Sequence, residues 1–396
     1  MLDLLSYFSL TESYKLPDVL MTALLDKEKR SDLLSRFVQD DLDLSKDNFV
    51  DSFQAEHGDR DKFKQDFTPK GISEIVARII PRSQNIADVC AGTGSLTIQA
   101  WNLNRSAFFH CEEKSERAVP FLLLNLALRN IQGEVLVGDV LTRTFNAVYR
   151  LIPAAQFSEI SLVEKPSERK YQAVISNPPY SLKWEPQEDD RFCYGLAPAK
   201  AADYAFVQHG LSLLADEGKA VFVLPHGVLF RGNSEGSIRR KLLESKIIDS
   251  VIGLPDNTFA NISIPVCLLI CQRNSSDVLV IDASKECQKQ AKLNVIEEPN
   301  IEQIVKTYQR RQSVERFASV VSLQQLEEND FNLNIPRYVD TFEAPDVPKL
   351  EDTLNELSKI NHDIKVNQSE LAKTLNCLNG YSRQESEAVR TWIASL

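Results

Sequence analysis

Apolar residues recur along this chain at two different periods, and the changes between them mark out its elements. Over the first sixty residues the spacing is helical: Leu2, Leu4, Leu5, Phe8 and Leu10, then Leu20, Leu24 and Leu25, then Leu33, Leu34 and Phe37. The polar stretch from Gln54 to Arg60 ends that pattern, so a small helical N-terminal region is expected over residues 1–60. The next helix is predicted through Ile72, Ile75, Val76, Ile79 and Ile80, with Thr68 as its cap and Pro69 at its first position. Short apolar runs then follow at 86–89, 107–111, 135–137 and 173–175, with helical stretches at 96–101 and 118–128 among them. The sheet is expected to continue through 211–214, a helix, and strands at 220–224, 248–254 and 266–271. Strands alternating with helices predict an α/β fold on a mainly parallel sheet. We place that domain at 61–284 and a helical C-terminal region at 285–396.

The predicted strand ends carry the polar residues that matter. After residues 173–175 comes Ser176-Asn177-Pro178-Pro179-Tyr180. Two prolines continue neither a helix nor a sheet ladder, so the backbone leaves the strand rigid and extended. A planar amine fits such a site. The Asn177 side-chain oxygen and the Pro178 carbonyl each accept one of its hydrogens, and the Tyr180 ring stacks on the attached heterocycle. Held this way, the amine nitrogen becomes more tetrahedral and its lone pair freer to attack, with no metal required. The plainer reading is a strand-ending Pro-Pro turn with a packed tyrosine.

Upstream, residues 86–89 lead into Cys90-Ala91-Gly92-Thr93-Gly94-Ser95 and then a helix. A strand, a glycine turn and a helix bring backbone N–H groups close to a ligand. The third glycine of the dinucleotide fingerprint is missing, and an acid, Asp88, stands ahead of the turn where a phosphate cradle has a lysine behind it. A cationic or zwitterionic ligand suits it better than a pyrophosphate. The second strand ends at Glu112-Glu113, where an acid commonly holds ribose hydroxyls, and the third at Asp139, an acceptor for an adenine amino group.

Composition narrows the field. With 396 residues, 43% hydrophobic and 26% charged, the chain is long enough for two or three domains of an ordinary soluble protein. It has no apolar run of membrane-span length and no signal-peptide pattern at its start, so a cytoplasmic protein is expected. Seven cysteines at irregular spacing argue for reduced thiols, and Cys267 and Cys271 read as core residues because no second ligand pair accompanies them. The net charge of −11 is the wrong sign for a protein that grips nucleic acid unaided. Either the ligand is something else or a partner supplies positive field.

These motifs resemble those of S-adenosylmethionine-dependent amino-group methyltransferases of the adenine-N6 class. Asp88-Val89-Cys90-Ala91-Gly92-Thr93-Gly94 is similar to their cofactor loop, and Asn177-Pro178-Pro179-Tyr180 to their catalytic tetrapeptide. More narrowly, the chain resembles the modification subunit of type I restriction–modification systems. That likeness runs through Gln65-Asp66-Phe67-Thr68-Pro69, Arg191 to Gly195, Ala202-Asp203-Tyr204-Ala205-Phe206, the stretch from Val223 to Gly232, and Ile335 to Asp340. The resemblance implies a Rossmann-like class I methyltransferase sheet. It implies that Phe67, Thr68, Pro69, Asp88, Gly92, Thr93, Gly94, Glu112 and Asp139 bind S-adenosylmethionine, and that Asn177, Pro178, Pro179 and Tyr180 hold a target adenine flipped out of double-stranded DNA. The helical region ahead of Phe67 is shorter than is usual in that family.

Other residues stay open between two roles. His226 reads as structural or as touching the substrate edge rather than as a general base. Phe259 either flanks the target base or packs in its loop. The rim from Gly232 to Ser237 is either a mobile DNA-touching loop or a capped helix start. From Leu350 the residues Leu350, Leu354, Leu357, Ile364, Leu371, Leu375 and Leu378 repeat at fours and threes, with Asn361 and Gln368 at core-type positions. That is a heptad seam, which either folds back on its own domain or docks on a partner. The resemblance implies a separate specificity subunit there, together with a second methyltransferase subunit and a restriction subunit. Residues 285–396 lack a basic and aromatic surface for reading base edges, which agrees with sequence choice lying in a partner. Two competing classes are a protein-glutamine N5 methyltransferase, whose amide is also a planar amine, and a non-catalytic assembly subunit that keeps the fold.

Overall fold

A computed structural model describes residues 4–56, 68–259, 263–342, 349–376 and 382–395. They fall into two compact units, Met1–Thr341 and Phe342–Leu396. In the first, helices α1 (Leu16–Leu25), α2 (Lys27–Gln39) and α3 (Val50–Glu56) precede α4 (Lys70–Ile79). Alternation then sets in: β1 (Asn85–Val89), α5 (Ser95–Leu103), β2 (Phe108–Glu113), α6 (Val119–Leu128) and β3 (Gln132–Asp139). A hairpin of β4 (Thr144–Ile152) and β5 (Glu159–Val163) leads to β6 (Tyr171–Ser176), α7 (Asp203–Leu213), β7 (Leu214–Pro225) and α8 (Asn233–Glu244). The unit continues with β8 (Ile248–Gly253), β9 (Val266–Gln272), β10 (Asp277–Asp282), the short ladder of β11 (Gln288–Gln290) and β12 (Leu293–Val295), α9 (Glu298–Arg310) and β13 (Ala318–Ser322).

Except for β11 and β12, the strands form one sheet in the order β13-β10-β8-β9-β7-β6-β1-β2-β3-β4-β5. Strands β3, β2, β1, β6 and β7 run parallel, and β9 enters antiparallel between β7 and β8. The chain winds from β1 through β2 to β3 on one side, then returns to place β6 and β7 on the other. Strand β1 is therefore the switch point, where ligands bind beyond the carboxyl ends of the strands. Both faces are covered. One carries Ile75, Ile86, Phe109, Phe121 and Ile304; the other carries Phe222, Tyr204, Leu242 and Val251. The strands between are buried on both sides, which is why they read as continuous apolar runs.

The N-terminal helices belong to this core. α1 packs on α6, and the rings of Phe53 and Phe121 meet edge to face at 5.1 Å. The boundary expected at 284/285 is absent. α9 buries Ile301, Ile304, Val305 and Tyr308 on one stripe, the Arg78 guanidinium grips the Glu298 carboxylate at 2.6 and 2.7 Å, and β13 pairs antiparallel with β10. Residues 285–341 thus belong to this unit, with β13 as the far edge of the sheet, rather than to a helical tail. A five-residue strand that is half-buried leaves a weak signature in sequence, which explains the misplacement. Residues 211–213 likewise close α7, and β7 starts directly at Leu214 with no helix between.

The second unit holds α10 (Leu350–Asn376) and α11 (Arg383–Ser395). The expected seam lies on α10: Leu350, Leu354, Leu357, Ile364 and Leu371 are 41 to 75% exposed. Leu375 is half-buried, and Leu378 lies outside the described residues. Among the described residues, no helix is long and apolar enough to cross a membrane, and no cluster of His, Cys, Asp and Glu could hold a metal ion. Cys267 and Cys271 are fully buried on β9, as core packing predicts.

Candidate active site

The site is built where β1 and β6 end side by side. Val89 is in register with Ser176, and the Ser176 hydroxyl donates to the Val89 carbonyl at 2.6 Å. Cys90 and Asn177, the next residue on each strand, therefore leave the sheet as neighbours. The glycine turn and the Asn-Pro-Pro-Tyr segment open from one point of the fold.

The turn is tightly wound. Cys90, Gly92 and Gly94 have φ of 64°, 60° and 100°. The φ of 100° at Gly94 is one that residues with a side chain rarely adopt, so glycine is needed there for the conformation. The Gly92 N–H donates to Glu113 Oε2 at 2.7 Å, and Glu113 Oε1 accepts from the Ser115 N–H at 2.7 Å. Asp88 is buried beneath the turn. Its Oδ2 accepts from the Thr97 hydroxyl at 2.6 Å, while Oδ1 has no hydrogen-bond partner. Burial pushes its carboxyl up to about 7. Burial and the carboxylates of Glu113, Glu112, Asp88 and Asp139 likewise push the Cys90 thiol well above its ordinary value. The acids thus converge on the turn, and because burial holds Asp88 and Glu113 toward their neutral forms, a positive charge brought to the turn would favour their ionised forms.

Three of the residues expected to bind cofactor have their side chains engaged with other residues. Glu112 does not face the turn. Side chains alternate along a strand, so Glu113 shares a face with Phe109 and Cys111, whereas Glu112 shares the opposite face with His110. There Glu112 meets His110 Nε2 at 3.2 Å and His209 Nε2 at 2.7 Å. Glu113 is the acid at the turn. Thr93 has its hydroxyl engaged elsewhere, donating to Asp47 Oδ2 at 2.6 Å. Asp47 also accepts from Ser95 and Asn125 and from the N–H groups of Phe49 and Val50. The N-terminal region is thereby latched to the turn, a role that its helical periodicity did not reveal. Asp139, at the tip of β3, accepts from Lys114 Nζ at 2.7 Å and from the Leu141 N–H at 2.9 Å.

Thr68 is the third. It does not cap α4, which starts at Lys70 after Pro69, with no side-chain cap. Its hydroxyl instead accepts from Asn177 Nδ2 at 2.9 Å, and Asn177 Oδ1 accepts from the Tyr180 hydroxyl at 2.7 Å. This orients the Asn177 amide at both ends. Tyr180 packs edge-on against the buried ring of Phe259, centroids 6.1 Å apart. Pro178 is buried and Pro179 half-buried. Phe67 lies outside the described residues. His226 Nε2 donates to the Val266 carbonyl at 3.0 Å, and burial lowers its pKa, which favours the neutral ring. Residues from Gly232 onward form the start of α8, resolving that rim as a helix start.

The residues present fit S-adenosylmethionine as the ligand of the turn. A buried carboxylate oxygen on Asp88 without a hydrogen-bond partner, beneath a turn wound through Gly92 and Gly94, suits a close-fitting zwitterion.

Sheet order, glycine turn and the polar segment on the neighbouring strand define the class I methyltransferase type of α/β fold. A profile of the N-6 DNA methylase family matches residues 47–346, and the chain belongs to that family. The MpnII methylase subunit of a type I restriction enzyme from Mycoplasma pneumoniae is 28% identical over 380 residues, 87% of this chain and 68% of its own length. The MjaVIII methylase subunit from Methanocaldococcus jannaschii is 29% identical over 321 residues, 75% of this chain and 53% of its own. Among solved structures, a type I restriction–modification methyltransferase subunit from Streptococcus thermophilus is 34% identical with a TM-score of 0.62, covering 70% of this chain and 59% of that one. A putative type I modification subunit from Vibrio vulnificus shares the fold at 15% identity, with a TM-score of 0.56 and coverage of 80% and 66%. The chain thus spans between about half and two thirds of the length of its relatives.

The buried network below the turn sets a pH dependence. His110 also meets Glu134 through Nδ1 at 2.9 Å. Burial works against charge on this ring, but Glu112 and Glu134 outweigh it and raise its pKa to about 9. Burial also acts to raise Glu112, yet the two histidines hold it well below the ordinary carboxylate range. The folded state therefore holds the His110 proton more tightly than the unfolded chain, whose histidine titrates near about 6.5. The resulting stabilisation is complete below that pH and is lost as pH rises through about 9, at no more than about 1.4 kcal/mol per unit. Denaturant unfolding of wild type and His110→Gln should differ most near pH 6 and converge toward pH 9.5. A gap that stays constant across that range contradicts the assignment.

Proposed function

We propose that this chain is the modification subunit of a type I restriction–modification complex, transferring a methyl group from S-adenosylmethionine to adenine N6 in double-stranded DNA. The observation that carries this reading is the Asn177 amide, held by Thr68 and Tyr180 on the strand next to the glycine turn. Bound at that turn, the cofactor supplies an electrophilic methyl group on a sulfonium centre. Gly92 and Gly94 would let the backbone approach it, Asp88 and Glu113 would lie near its positive charge, and Asp139 would accept from its adenine amino group.

A target base inside a duplex must be extruded to reach this point. Asn177 Oδ1 and the Pro178 carbonyl then accept the two hydrogens of its amine, with the amine sharing Oδ1 with the Tyr180 hydroxyl or displacing it. Held this way, the nitrogen lone pair would be free to take the methyl group as the methyl–sulfur bond breaks and its electron pair stays on a neutral thioether, and the amine's surplus proton would leave to water. The Tyr180 ring offsets lost stacking by about 1–3 kcal/mol. Alignment of the amine with the methyl group does most of the work.

The same reading accounts for the second unit and for the charge. A run of exposed leucines and an isoleucine at heptad spacing on α10 suits burial against a helix of a specificity subunit. That subunit would read the DNA sequence and supply positive field that a chain of net charge −11 lacks.

Two measurements check this. Asn177→Ala should abolish methyl transfer to DNA while calorimetry still shows cofactor binding; near wild-type transfer would rule the assignment out. Leu354→Asp with Leu357→Asp should prevent co-purification with the specificity subunit and leave cofactor binding intact. Unchanged co-purification would remove the docking role from α10.

A further inference from the structure

The tetrapeptide is followed at once by backbone strain. Ser181 has φ of 49°, in the left-handed region that a residue with a side chain enters at a cost. Such a conformation persists only where the surroundings over-determine it. Here they do. The Ser181 N–H donates to Asp203 Oδ1 at 2.9 Å, and its hydroxyl accepts from Arg231 Nη2 at 3.2 Å. Arg231 Nη1 closes the ring by donating to Asp203 Oδ2 at 3.1 Å and to Glu235 at 3.3 Å.

Asp203 is fully buried at the first position of α7, yet no side chain caps that helix. Its carboxylate is turned away from its own helix and toward the residue after Tyr180. Room for the guanidinium comes from Gly227, where a Cβ would stand 2.4 Å from Arg231 Nε. The pairing of the Ala202 N–H with the Leu182 carbonyl at 2.9 Å binds the same two segments from the other side.

We propose that Asp203 and Arg231 are positioning residues that hold Ser181 in its left-handed turn and thereby aim Asn177 and Tyr180 at the target amine. This rests on the methyl-transfer reading above. It explains why two stretches remote in sequence, around Asp203 and around Gly227 to Arg231, belong to one site.

The test uses the full chain in its complex, reading kcat for DNA methylation and cofactor affinity by calorimetry. Asp203→Ala should lower kcat by on the order of tenfold to a hundredfold, the scale of a small misalignment, with cofactor affinity within about twofold of wild type. Adding Ser181→Gly should restore about fivefold or more, because glycine enters the left-handed region without steric cost. A merely structural carboxylate would show no such rescue. Should Asp203→Ala fail to fold, Gly227→Ala tests the same brace by displacing Arg231, with the same expected loss of kcat. Wild-type kcat in the brace variants, or a loss that Ser181→Gly does not relieve, overturns this inference alone. A wild-type complex that transfers no methyl group overturns the functional reading, and this inference with it.

Discussion

Everything in this protein's site depends on two parallel strands ending together. The Ser176 hydroxyl on the Val89 carbonyl locks the last rung of β1 against β6. A slip of one residue would turn every side chain on β6 to the opposite face, and would part Asn177 from the turn at Cys90. Because both strands are buried on both faces, the whole sheet opposes such a slip. Precision at the tip is inherited from packing in the middle.

Around that fixed point the loops are strained and then clamped. Cys90, Gly92, Gly94 and Ser181 adopt left-handed backbone within two short segments. Each segment is held by groups from distant parts of the chain: Glu113 on Gly92, Asp47 on Thr93, Asp203 and Arg231 on Ser181. A third clamp lies at β3, where Arg191 donates to the carbonyls of Val140 and Leu141, to Asp189, and to His209 Nδ1. Since Arg191 only donates, Nδ1 of His209 accepts and Nε2 carries the proton toward Glu112. The buried polar cluster is thus a tie between the exit of β3, next to Asp139, and the loop after the tetrapeptide.

Much of this was legible from residue order. The strands at 86–89, 107–111, 135–137 and 173–175, the glycine turn ahead of a helix and the Pro-Pro exit from β6 are local signals that lie where their pattern places them, whereas the run at 211–214 closes α7 and opens β7. Glu112 was misread because two adjacent acids end β2, and only the side-chain parity of the strand separates them. His110 and Glu112, polar at alternate positions, were the available sign that those two share a face. Asp47 and Asp203 act on residues 46 and 22 positions away, and no periodicity connects them to their partners. The tail boundary failed for a related reason: β13 earns its place by pairing with β10, not by its own five residues.

The central claim is that the tips of β1, β2, β3 and β6 form one ligand-responsive surface. Hydrogen–deuterium exchange of the full chain with and without S-adenosylmethionine tests it most directly. The account predicts added protection at residues 90–94, 113–115 and 139–141, spreading to 177–181, with the edge hairpin of β4 and β5 unchanged. Protection confined to other parts of the chain, or none at the glycine turn under saturating cofactor, would contradict it.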